Sequence, residues 1–250
     1  MNRTLFLIFA CTLLLPSVRD AVLAAPAEES VPFVGCESDG QVGPQAAPNG
    51  KSPAVRVATD QARKIAYYTA GGFGGFGVLA PRGWYCFGTY GSGGDALYVS
   101  PEPIDSATIF SQDWKGFTGP AVAMIHRLGD ISGRSGVAEI IARVFPAHKG
   151  FVDGVRKMDL GGPFPSGPYP TDRLTYKSKE IVEYVTPGQT EGLGTNSRLN
   201  RNADAIGGVA ILIGPTTDLL LLSVRLPPDL TDLTTTIVHQ FERAAIAQSH

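Results

Sequence analysis

A histidine and an aspartate at i and i+4, His126 and Asp130, close an apolar run, Ala121–Leu128, and give the first candidate for acid–base chemistry. An imidazole held by a carboxylate can move a proton near neutral pH, and Ser92, or a water, would then attack. Asp95 is a second carboxylate able to orient His126. Ser92 sits in Gly91-Ser92-Gly93-Gly94, which lacks the G-x-S-x-G spacing of a strained strand-to-helix elbow. A hydrolase reading therefore needs His126, Asp130 and Ser92 to meet in space. His126 and Asp130 would also offer two metal ligands, but no third is close in sequence, and no metal is expected.

A second kind of chemistry lies in Gly71–Pro103, which holds a third of the 30 glycines. Gly72, Gly74 and Gly77 match G-x-G-x-x-G, yet the run leads into Val78-Leu79-Ala80-Pro81, which is strand-like. No helix follows to offer its amides to a pyrophosphate. A kinase-type loop would need a lysine on the next strand and the HRD and DFG segments, and His126-Arg127-Leu128 only echoes the former. No cofactor is expected. The glycines do mount aromatic rings: Phe73, Phe76, Trp84 and Tyr90, with Asp95 nearby and Arg198 in a later polar loop, form a candidate binding surface. Rings beside polar loops suit a glycan, a small amphipathic ligand or an envelope protein. The competing expectation is that these rings fill the core. Two functions are carried forward: a ligand- or partner-binding module with a Gly/aromatic surface, and a small secreted hydrolase using a His/Asp pair. The sequence leaves open which, and so whether the protein is an enzyme.

The elements that must position these residues follow from hydrophobic period. Trp84–Tyr90 and Ala96–Val99 read as strands that flank a glycine-rich turn, predicting a hairpin with a loop of four or five residues. Residues 59–68 carry Ala62, Ile65 and Ala66 at helical spacing, and Ala107–Phe110 reads as a short strand. Val137, Ile140, Ile141 and Val144 form a helical stripe that Pro146 interrupts, and Phe151, Val155 and Met158 continue a second. Arg173–Val185 alternates as strands. The polar stretch 186–205 then holds Glu191, Asn196, Arg198 and Arg201, where ligand contacts are expected. Ile206–Ile213 and Leu219–Leu226 are apolar at nearly every position, which predicts a strand pair covered on both faces. A last helix follows, with Leu233, Ile237, Phe241 and Ala244 inward and His239 solvated. The fold class is α+β, a largely antiparallel sheet covered by helices, ending in a β-hairpin and a helix. Residues 54–250 form one domain in two lobes, 54–160 and 171–250, joined by the proline-rich segment 161–170. Residues 25–53 form a tether and a disulfide-pinned loop.

Compartment follows from the N-terminus and the cysteines. Arg3, the apolar run Leu5–Leu15 and the small residues near Ala24 have the form of a signal peptide over residues 1–24. Its removal leaves Cys36 and Cys86, an even pair in an exported chain, and predicts one disulfide between them. The expected location is secreted or periplasmic. After that cleavage 19 basic residues face 22 acidic ones with no basic run, so neither nucleic acid nor a membrane surface is an expected partner.

Overall fold

The computed structural model describes residues 28–71, 76–130, 132–158 and 163–248. The proposed signal segment and Phe73, with Gly72 and Gly74, lie outside them. The fold is α+β, as expected. A short ribbon pairs β1 (Glu28–Glu29) with β3 (Val55–Arg56). The main sheet has ten strands. From one edge they run β5 (Val78–Pro81), β4 (Ile65–Ala70), β2 (Phe33–Gly40), β6 (Tyr85–Gly91), β7 (Gly94–Ser100) and β8 (Ala121–Arg127). They continue through β12 (Asp218–Arg225), β11 (Ile206–Ile213) and β10 (Ile181–Thr186) to β9 (Arg173–Tyr176) at the other edge. All neighbours are antiparallel except β2, which pairs parallel with both β4 and β6. Because β8 pairs with β12, no break in the sheet separates residues 54–160 from 171–250.

Three local expectations are corrected. Residues 33–40 are a central strand, not part of a pinned loop: Gly35, Gly40 and the polar residues between them resemble a turn, but both neighbours supply backbone partners. The helix expected over 59–68 stops after one turn as α1 (Thr59–Ala62), and Ile65–Ala70 joins the sheet, where its aromatic and Thr side chains suit a pleated surface. Residues 106–110 are helical rather than extended. The carboxylate of Asp105 accepts from the Thr108 amide at 2.8 Å and caps α2 (Ser106–Ile109).

The two sheet faces bury different cores. Strand alternation sends Leu97, Val99, Val122, Met124, Leu220 and Leu222 to the first face, under α5 (Leu233–Gln248). Helix α5 touches β11 and β12 and also β5 at the far edge, so the sheet curls around it. Its buried residues are Leu233, Ile237, Val238, Phe241 and Ala245. His239 is not free in solvent: its Nε2 lies 3.1 Å from Oε1 of Glu183 on β10. The second face carries Tyr98, Ala123, Ile125, Ala210 and Leu221 under α3 (Arg134–Val144), which packs on α4 (Lys149–Lys157). On the first face Cys36 and Cys86, from the parallel neighbours β2 and β6, form a disulfide. None of the described helices is long and apolar enough to cross a membrane.

Candidate functional site

The hairpin turn is tighter than expected. Gly91 pairs with Gly94, so Ser92 and Gly93 alone make the turn and Asp95 belongs to a strand. In the β7–β8 register Asp95 stands opposite His126, and both point to the first face with Leu97 and Met124. There Asp95 Oδ2 and His126 Nδ1 are 3.2 Å apart, with side chains only 9% and 10% exposed. The Phe76 ring lies 5.5 Å from the imidazole, centroid to centroid. Asp95 Oδ1 and His126 Nε2 are buried and meet no partner among the described residues.

Asp95, not Asp130, thus orients the imidazole. Asp130 is exposed, and its main-chain carbonyl accepts from Arg134. Ser92 is spent elsewhere: Ser132 Oγ donates to its Oγ at 2.9 Å on the surface. His126, Asp130 and Ser92 therefore do not assemble as a nucleophile–base–carboxylate set. Of the candidate rings, Phe76 is buried in the core and Trp84 is half-buried against it. Tyr90 turns its hydroxyl to the carbonyl of Gly43. Phe76 thus fills the core, as the competing expectation had it, whereas Trp84 and Tyr90 are half-buried and Tyr90 also borders a cleft on the other side of the sheet.

Burial pushes the Asp95 carboxyl above the ordinary range, while the hydrogen bond and charge of His126 act the other way. A carboxyl raised in the folded state holds its proton more tightly there than in the unfolded chain. Its unfavourable contribution is absent below the unfolded value and grows as pH rises to the folded one. Asp95→Asn should accordingly gain in melting temperature, relative to wild type, as pH is taken from acid to neutral. A difference that stays flat or shrinks over that range would rule this out.

A distinct constellation lies on the second face, where β6–β8 run out toward the start of α3. A cleft of about 350 Å³ is walled there by Thr89, Tyr98, Arg127, Asn196, Arg198 and Phe110. Asp95 and His126 border it too, but alternation directs their side chains to the opposite face. The turn closes tightly on α3. A Cβ on Gly133 would sit 2.2 Å from the Gly93 carbonyl oxygen, so only glycine fits. Arg127, at the end of β8, lays its guanidinium against Gly136 in the first turn of α3, where a Cβ would lie 2.8 Å from it.

The two arginines of the cleft, Arg127 and Arg198, face it from different elements. The first turn of α3 has no acidic residue, and Gly133 gives it no side-chain cap. Helix N-termini favour anions, yet Arg127 and Arg134 lie beside this one. Among the described residues neither Arg127 nor Arg198 takes part in an ion pair. Burial pushes the Tyr98 phenol up, with Arg198 and Arg127 acting against that. Asn196 accepts from the Tyr169 hydroxyl at 3.2 Å, while its buried Nδ2 has no acceptor among the described residues. The chemistry is that of a donor set without its acceptor.

Arg198 is held in place by its backbone. Its φ of 68° is left-handed, a conformation disfavoured for a side chain of this size. Its carbonyl accepts from the Phe117 amide at 2.7 Å, and its guanidinium lies 5.9 Å above the Trp114 ring. The same loops are tied by Arg225 on β12, which is fully buried. Its guanidinium donates four hydrogen bonds, to the carbonyls of Gly119 at 2.9 and 2.5 Å, Asn200 at 2.5 Å and Phe117 at 2.8 Å.

The polar stretch 186–205 therefore supplies two walls, Asn196 and Arg198. Glu191 and Arg201 instead approach each other at 3.9 Å on the surface. Sequence reading missed Thr89, Tyr98, Phe110 and Arg127. The available signal was parity: Arg127 and Ile125 share a strand face that His126 does not.

Three comparisons, with family models, curated proteins and solved structures, found no match to this chain.

Proposed function

We propose that the protein is an exported binding module whose cleft takes an oxyanion, a carboxylate or phosphate, between Arg127, Arg198, Tyr98 and Asn196. One observation carries this reading: the two arginines and the orphan amide converge beside an uncapped helix start, without a carboxylate partner among the described residues. Charge-assisted hydrogen bonds from paired guanidinium groups are the strong ones, and the two forks would fix the anion's orientation. Export is supported by the form of residues 1–24 and by the Cys36–Cys86 disulfide, which persists in oxidising compartments.

Hydrolysis by His126 and Asp95 has their 3.2 Å contact in its favour. It is the weaker reading, because the imidazole is turned toward Phe76 and the nearest serine of the sequence reading is bonded to Ser132.

Titration with inorganic phosphate, followed by amide shifts in NMR spectra, tests the binding reading. Saturable shifts are expected at Gly133, Arg134 and Asn196, with a Kd of about 1 mM or tighter. Arg127→Gln and Arg198→Gln should each weaken binding by about tenfold, the scale of one charge-assisted contact. Shifts that fail to saturate, or that survive both substitutions together, would remove the reading.

A further inference from the structure

Resting on the anion-binding reading above, we infer that the ligand carries its oxyanion on a flat apolar body, as an aryl phosphate or aryl carboxylate does, and that Phe110 is the platform for that body. The cleft is too large for an anion alone. At about 30 Å³ per water in the liquid, its volume of about 350 Å³ corresponds to roughly ten waters. Besides its arginines, its walls include Phe110, Ile125 and the rings of Tyr90 and Tyr98.

The neighbouring rings are already engaged. Tyr98 packs on Phe117 at 5.7 Å and on Trp114 at 6.1 Å, and Trp114 meets Phe117 edge-on at 5.3 Å. Phe110 stands apart from this cluster. It is 56% exposed and has no ring partner among the described residues. Nor is it on a loose loop. It ends α2, whose start is capped by Asp105 and whose Ser106 hydroxyl donates to the Asp39 carboxylate on β2 at 2.5 Å. A large apolar ring at the mouth of a polar cleft gains when an apolar group covers it, and a flat aromatic partner adds stacking to that gain.

The test compares phenyl phosphate with inorganic phosphate on the mature protein, by calorimetry or NMR titration. Phenyl phosphate should bind about tenfold more tightly. Phe110→Ala should erase that advantage, so that phenyl phosphate and inorganic phosphate bind this variant with equal affinity. Phe110→Leu, which keeps apolar bulk but not the flat face, should retain only part of it and guards against a folding defect in the alanine variant. Phenol, which has the ring without the dianion, should bind at least tenfold more weakly than phenyl phosphate. Equal affinities for the two phosphates would overturn this inference and leave the anion site standing. A preference that persists in Phe110→Ala would overturn the assignment of the platform. Failure of both phosphates to bind would overturn the anion site as well.

Discussion

Arg225→Met is expected to destabilise the fold by about 3 kcal/mol, and Arg225→Lys by a similar amount. A fully buried guanidinium normally demands a carboxylate, since an isolated buried charge is costly. Here the charge is instead spread over carbonyl oxygens of three residues. Burial pulls the Arg225 pKa down, with Asp204 opposing from a distance. Methionine fills much of the volume and relieves the desolvation of the charge. It strands the carbonyls of Gly119 and Asn200, each at about 1–3 kcal/mol, whereas Phe117 keeps the Asn200 amide at 2.8 Å. Lysine retains the charge but offers a point ammonium where a planar fork is needed, so conservation of charge should not rescue it. Denaturant unfolding at constant m-value reads the loss. Since the same cage seats Phe117 against Arg198, the phosphate affinity of both variants should fall as well. A lysine variant as stable as wild type would show that charge, not the fork, matters here.

Removing the disulfide should have the larger effect. Cys36 and Cys86 are 50 residues apart, and on the chain-entropy model a loop of that length is worth about 4 kcal/mol. The Cys36→Ala, Cys86→Ala double variant should therefore melt about 10 °C lower, taking the usual conversion for a domain of this size. The intact mass of the wild-type protein, expressed from its full sequence, checks both the bond and the proposed processing. Residues 1–24 or a few more should be missing. Alkylation without reductant should add nothing, and reduction should then allow two additions. Two additions without reductant would mean that the sulfurs are free in the protein.

The sequence was most readable where the chain buries both faces of an element. Ile206–Ile213 and Leu219–Leu226 lie on either side of a short turn as the pair β11–β12, and the stripes of α3 and α5 fall where their period puts them, save that Ala245 rather than Ala244 is the buried alanine of α5. It was least readable where tertiary pairing supplies what local pattern lacks. Gly35 and Gly40 punctuate β2 like a loop, yet that strand is held from both sides. Ala62, Ile65 and Ala66 fit a helix as well as they fit a turn followed by β4. The cysteine pairing was legible from the two cysteines that lie beyond the proposed signal segment. The cleft was not, because its walls lie about a hundred residues apart in the chain and meet only through the register of β6, β7 and β8 with the loop carrying Asn196 and Arg198. A one-residue slip of β8 would have put His126 in the cleft and Arg127 in the core.

The parallel seating of β2 has a kinetic consequence. Hairpins such as β4–β5, β6–β7 and β11–β12 can close from nearby residues within microseconds of one another. Strand β2 cannot join that way, because it must be slotted between two strands that follow it in the chain by some thirty and fifty residues. Such distant contacts are slow to form, and a nascent molecule would spend its slowest stage with an open seam between β4 and β6 and two unjoined thiols. Closing the Cys36–Cys86 bond then acts as a latch on the final insertion, converting a late and reversible docking into a permanent one.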